Sequence, residues 1–230
     1  MDSLLTLQPR LRAIAELVPT GKTLADIGTD HGYLPVWLLQ ERRIPSAIAS
    51  DIVPGPLDHA RRTAAQYHIN EHIAFRLCSG LEGISEEETE TIVIAGMGGE
   101  TIVKILAAAP WTKNGKTLLL QPMTKTELLR RWLLDNGYYI HFERLVLDKG
   151  IIYPILYVTG GEGNTTAAGQ LQYGWVRDDD PLFRPYLDEL IKKIQWAVHG
   201  LERAENNRQA EKLAELKALL SVLEDKKCTL

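Results

Sequence analysis

The feature that most constrains this chain is a repeat of short apolar runs, each followed by a helical segment, between Thr23 and Asn136. The runs are Thr23 to Ile27, Ala47 to Ser50, Ile73 to Leu77, Thr91 to Ala95 and Thr117 to Leu120. Helical spacing of apolar residues falls at about 34–41, 56–67, 99–108 and 124–136. Strands joined through helices pair in parallel, so the alternation predicts a parallel sheet with helices on both faces. Such a sheet takes its ligand at the carboxyl ends of the strands, where the strand order reverses. Two β-rich runs follow, Tyr138 to Leu147 and Ile151 to Thr159, linked only by Asp148-Lys149-Gly150. So short a link makes them an antiparallel hairpin closing the sheet.

The flanks are helical. Leu4, Leu7, Leu11, Ile14, Ala15 and Val18 form one stripe of a helix over 4–18, ended by Pro19 and Gly21. After Gly160-Gly161-Glu162-Gly163-Asn164 the strand signals cease. Leu187, Leu190, Ile191, Ile194, Val198 and Leu201 make one stripe, and Leu213, Leu216, Leu220 and Leu223 a second with coiled-coil spacing. The expected tail is an antiparallel helical hairpin turning at Asn206-Asn207, with one long helix as the alternative. Residues 1–164 are expected to be the catalytic domain and 165–230 the helical coiled coil.

Composition narrows the function classes. Hydrophobic residues make up 45% of the 230, enough for a packed core. No apolar run reaches the roughly 18 to 20 residues of a membrane span, and the first residues lack a secretion signal. Cys78 and Cys228 read as reduced thiols, so a cytoplasmic protein is expected, with a monomer favoured. A net charge of -4 argues against a protein that coats nucleic acid by bulk charge. It leaves room for a local basic face drawn from Arg10 and Arg12, Arg42 and Arg43, Arg61 and Arg62, or Lys125, Arg130 and Arg131, although any single group reads first as a solvated helix face. The six histidines do not cluster, and no metal site is expected.

The strand ends carry the chemistry. The first reads Asp26-Ile27-Gly28-Thr29-Asp30-His31-Gly32-Tyr33-Leu34, an Asp-x-Gly-x-Asp-x-Gly-x-Leu pattern. Gly28 permits a sharp turn, and Gly32 is read as letting backbone pass close to a ligand. The Gly-x-Gly-x-x-Gly cradle for a pyrophosphate is missing. Acidic residues here suit a cationic ligand instead, such as the amino group and sulfonium of S-adenosylmethionine, which Asp26 and Asp30 could attract. Asp51, about twenty residues past the glycine loop and followed by Ile52, stands where a carboxylate accepts two ribose hydroxyls. A helix-capping role is the plain alternative for each of these aspartates. Ser79, Gly80 and Leu81 follow the third strand, where an adenine amino group could be held. Gly96-Met97-Gly98-Gly99 follows the fourth, with three glycines where cofactor and substrate would meet, and Gln121-Pro122 ends the fifth. A parallel sheet closed by an antiparallel hairpin is the architecture of Rossmann-like class I methyltransferases.

These segments together resemble the bacterial tRNA (adenine-N1)-methyltransferases that modify position 22 in the D-arm, the TrmK family. The most specific stretches are Gly96-Met97-Gly98-Gly99-Glu100-Thr101, the run from Gln121-Pro122 through Asn136-Gly137-Tyr138, and Lys149-Gly150-Ile151-Ile152-Tyr153-Pro154-Ile155. The resemblance covers most of residues 1–160, and the family also ends in a helical coiled coil. It implies S-adenosylmethionine as cofactor and tRNA as partner. It further implies that Asp26, Gly28, Gly32, Asp51 and Ile52 bind the cofactor, with Ser79, Gly80 and Leu81 at its adenine. Gly96, Met97 and Gly98 would line the cofactor and target pocket. Ser79 is a weaker holder of the adenine amino group and departs from the commonest pattern at that position. Adenine N1 attacks with its own lone pair and gives a cationic product, so no strong base is required. Asp30, His31, Tyr33 and Gln121 are the candidate residues around the target. Three other readings stay open: a methyltransferase acting on a small molecule or protein, a non-catalytic RNA-binding protein with this fold, and a nicotinamide dehydrogenase.

Overall fold

The computed structural model describes residues 5–203 and 209–230. Strands β1 (Leu24–Ile27), β2 (Ala47–Asp51), β3 (Ile73–Leu77), β4 (Thr91–Gly98) and β5 (Thr117–Thr124) alternate with helices α1 (Pro9–Leu17), α2 (Tyr33–Gln40), α3 (Pro54–Gln66), α4 (Gly99–Ala108) and α5 (Thr126–Asp135). The hairpin β6 (Tyr138–Asp148) and β7 (Ile151–Gly160) completes a seven-stranded sheet of order β3-β2-β1-β4-β5-β7-β6. The first five strands run parallel, while β7 lies antiparallel to both β5 and β6. The order reverses between β1 and β4, which opens a crevice at their carboxyl ends.

Alternation along the strands sorts the core into two faces. Leu24, Ala49, Val93, Leu119 and Ile155 pack with Ile14, Leu34, Trp37 and Ala64 of α1, α2 and α3. Ala25, Ile27, Ile92, Ile94, Leu118 and Leu120 pack with Ile102, Leu106, Leu129 and Leu133 of α4 and α5. Asp26 is two residues from Leu24, so it points to the α1–α3 face, where it is buried.

Three boundaries differ from the expected ones. Helix α1 begins at Pro9 rather than Leu4, because a proline disfavours helical geometry in the residue before it, and Gln8 is extended. Helix α5 begins only at Thr126, after Lys125 in a left-handed conformation. Strands β4 and β5 continue through the glycine run, with a bulge that skips Gly96 between the pairs Ala95–Gln121 and Met97–Pro122. The glycines are therefore strand tip as well as turn.

The tail holds a short helix α6 (Gln170–Tyr173) and two long ones, α7 (Phe183–Glu202) and α8 (Ala210–Cys228). Contacts Asp188–Lys227, Gln195–Glu224 and Glu202–Lys217 run in opposite order along the two, so they pair antiparallel and the single-helix alternative falls. The expected turn at Asn206-Asn207 lies outside the described residues. Phe183, Tyr186, Leu187, Ile191 and Leu223 share a core with Leu145 and Ile152 of the β6–β7 hairpin. Arg130 does not join a basic face as expected. It is wholly buried, its Nε donates to Glu143 at 2.8 Å, its Nη2 also donates to Glu143, and its Nη1 donates to the carbonyls of Leu171 and Gln172. Among the described residues, no helix is long and apolar enough to cross a membrane.

Candidate active site

A cleft of about 340 Å³ opens at the switch point, framed by the ends of β1, β2, β3 and β4 and by one side of α4. Gly28, Asp51, Ile52, Ser79, Gly80, Leu81 and Met97 line it, as the sequence leads one to expect. Its size suits a nucleoside-like ligand. The Gly28 and Thr29 amides donate to the Ser50 carbonyl at 2.8 and 2.9 Å, which ties the turn after β1 to the tip of β2. Asp51 Oδ1 accepts from the Val53 amide at 2.8 Å, so this carboxylate does brace the start of α3. One oxygen doing so leaves the other for a ligand. Ser50 Oγ is buried at the cleft and has no hydrogen-bond partner among the described residues. A buried hydroxyl without a partner is costly, and a polar ligand would satisfy it. A Cβ on Gly28 would meet the Met97 methyl group and push that side chain aside, and the φ of +74° at Gly28 itself favours glycine.

Asp26 stands behind the cleft rather than in it. Burial raises its pKa to about 6, against the pull of Thr29 Oγ1, which donates to it at 2.7 Å; the Asp51 charge acts in the same sense as burial. Gly32 is also off the cleft. The chain that comes close to it is α3, since a Cβ there would sit 2.9 Å from Ala60 Cβ. Gly32 is thus required by helix packing, a close approach that the sequence reading did not supply. Gly96 and Gly98 shape the β4 tip without lining the cleft.

The candidate target residues divide. Asp30 is exposed with a positive φ of 48°, and its Oδ1 is 3.6 Å from His31 Nε2. The His31 ring stacks on Tyr33 at 5.1 Å and on His59 at 4.8 Å between centroids, giving an aromatic group that joins the β1 turn to α3. Gln121 does not offer its amide to a ligand. It is fully buried, its Oε1 accepts from Arg10 Nη1 and the Gly96 amide at 3.1 Å each, and its Nε2 donates to the Pro122 carbonyl at 2.9 Å.

Sequence reading missed the α4 wall. Thr101, Lys104, Ile105 and Ala108 line the cleft at one-turn spacing, a stripe legible only once the face of α4 turned to the crevice is known. It also missed His59 and the reach of Arg10. Other basic groups are engaged as ordinary surface contacts: Arg12 pairs with Glu16 and covers Trp37, and Arg61 pairs with Asp58 and covers Phe75. Among the described residues, no three acidic, histidine or cysteine side chains come together as a metal site.

This fold, with a crevice carrying Asp51 at the strand-order reversal and a closing antiparallel hairpin, defines a class I methyltransferase, and a family model described as a methyltransferase domain matches residues 7–156. The tRNA (adenine(22)-N(1))-methyltransferase of Bacillus subtilis (strain 168) is 32% identical over 96% of this chain and 97% of its own. The crystal structure of B. subtilis TrmK superposes with a TM-score of 0.87 at 29% identity, covering 96% of this chain and 98% of that one. A Streptococcus pneumoniae protein in complex with S-adenosyl-L-methionine superposes at 0.81 with 32% identity, covering 94% and 100%. The chain belongs to the TrmK family of tRNA (adenine(22)-N(1))-methyltransferases.

Proposed function

We propose that this protein transfers a methyl group from S-adenosylmethionine to N1 of adenine 22 in the D-arm of tRNA. The observation that carries the reading is the switch-point cleft, with the Asp51 carboxylate and the unsatisfied Ser50 hydroxyl on one side and Gly28 against Met97 on the other. These residues fit a nucleoside that carries a cationic end. Asp51 would accept from the ribose hydroxyls, and Ser79 with the backbone of Gly80 and Leu81 would hold the adenine edge. The negative charge of Asp26 behind the turn favours the cationic end. When bound, the cofactor supplies an electrophilic methyl group on sulfur.

The rest is positioning. An unpaired adenine brings its own lone pair at N1, so the protein needs to hold it in line near attack distance and tolerate the charge it gains. The His31–Tyr33–His59 rings and Asp30, which follow the β1 turn, would offer a stacking surface to such a base. An adenine within folded tRNA must leave its stack first. A groove of about 860 Å³ runs between the tip of β5, the start of β7 and helices α7 and α8, with Lys125 and Lys193 on its walls, and would take the surrounding phosphates.

Labelled methyl transfer to a tRNA transcript, followed by nucleoside identification, tests the proposal. N1-methyladenosine should form on a transcript with adenine at position 22 and vanish when guanine replaces it. Equal labelling of both transcripts overturns the assignment of the target.

A further inference from the structure

The N-terminal helix reaches the tips of β4 and β5 through one side chain. Arg10 of α1 crosses the ends of β5, β6 and β7, and its guanidinium sits within 3.8 Å of where a Cβ on Gly96 would lie. Its Nη1 donates to Gln121 Oε1 at 3.1 Å and to Met123 Sδ at 3.0 Å. Its Nε is buried and forms no hydrogen bond among the described residues, but lies 3.7 Å from Asp148 Oδ2, and the group covers the Tyr153 ring at 5.7 Å. Four elements therefore converge on a single guanidinium.

What this holds in place is the β4 bulge. Strand β5 has Pro122 at this point, which has no amide to offer the ladder. The bulged Gly96 turns its amide to the Gln121 side chain instead, in a backbone conformation of φ +77°. Gln121 Oε1 thus receives two donors, one from Gly96 and one from Arg10. The next residue, Met97, lines the cofactor cleft and bears on Gly28. A shift of Gly96 would move the wall against which the reacting groups are aligned, and displacement of about 1 Å costs such alignment on the order of 100-fold in rate.

We infer that Arg10 is a positioning residue of the methyl-transfer site, acting through Gln121 on the Gly96–Met97 backbone. The inference rests on the methyltransferase reading above. Asp148 beside the guanidinium keeps the local charge near neutral, so the arginine can stand close to a base that becomes cationic.

The test compares Arg10→Met, Gln121→Leu and the double variant, with Arg10→Lys as a milder change should Arg10→Met fold poorly. Each single variant is expected to slow single-turnover methyl transfer to tRNA about 10- to 100-fold. Binding of S-adenosylmethionine, followed by calorimetry, should change far less than the rate. Residues that act as one unit do not add, so the double variant should be no slower than the worse single one. Exchange of the Gly96 amide with solvent, followed by NMR, should quicken in both Arg10 variants without any substrate present. Full activity in Arg10→Met, losses that multiply, or unchanged Gly96 protection each overturn the inference. If wild-type protein labels no tRNA, the proposed function fails instead, and Gly96 exchange still decides whether Arg10 governs the bulge.

Discussion

Asp26 shows how one residue can trade stability against binding. Its folded pKa of about 6 lies above the ordinary 3.8 because burial penalises the charged form. As pH rises from about 4 to 6, the unfolded chain releases a proton that the folded chain retains, so stability falls through that window and stays lower above it. At 1.36 kcal/mol per pKa unit the deficit is of order 3 kcal/mol. Asp26→Asn preserves an acceptor for Thr29 and removes the charge. It should be more stable than wild type in urea unfolding at pH 7.5, with the difference closing near pH 4. Identical stability at pH 7.5 would show that the carboxylate is not disfavoured there. The same substitution should weaken cofactor binding, because a cation in the cleft favours the ionised form. Affinity in wild type should rise between pH 5 and 7, and that rise should flatten in Asp26→Asn.

At this scale much of the site was legible, and the reason is local. Asp51, Gly28 and Ser79 stand at strand ends, and a strand end can be found from where an apolar run stops. Gln121 and Arg10 were not legible as a pair, because the 111 residues separating them leave no local spacing to read. The packing of Gly32 was hidden for a related reason: its neighbour Ala60 comes from another helix, and only the fold brings the two together.

Among the elements, the parallel strands and the closing hairpin followed from alternation, since a strand buried on both faces is apolar throughout. The ends of β4 and β5 did not, because glycines and a proline read as the end of a strand, and here Gln121 takes the Gly96 amide at the bulge. Arg130 looked like one more surface cation beside Arg131, yet it joins α5 to β6 and to the end of α6. Glu143 also accepts from the Trp175 amide at 3.2 Å. Removing one member of a buried pair leaves the other charge stranded, at roughly 3 to 5 kcal/mol. Glu143→Gln should therefore lower stability by about that much in chemical unfolding. The paired substitution Arg130→Met with Glu143→Leu should recover a good part of it. If Glu143→Gln unfolds like wild type, the pair is not what secures α6. A loosened joint should also raise the KM for tRNA more than the Kd for the cofactor if, as proposed, the RNA lies against the α7–α8 groove as well as the cleft, whereas the cleft itself is framed by β1 to β4 and α4.

For the whole molecule, the tail has a task that is visible without any RNA. Strand β6 is the last in the sheet, and an open edge offers its free amides and carbonyls to any passing strand. Here that rim is hemmed. Asn164 bonds both the amide and the carbonyl of Ile140, Val176 bridges to Glu143, and the Glu143 amide donates to the Trp175 carbonyl. Trimming the chain after residue 163 would strip away this hem along with α6, α7 and α8. The shortened protein should scatter light and gain thioflavin fluorescence on standing, where the full chain stays clear. Loss of the helices would therefore uncover the sheet edge, whatever it did to RNA recognition.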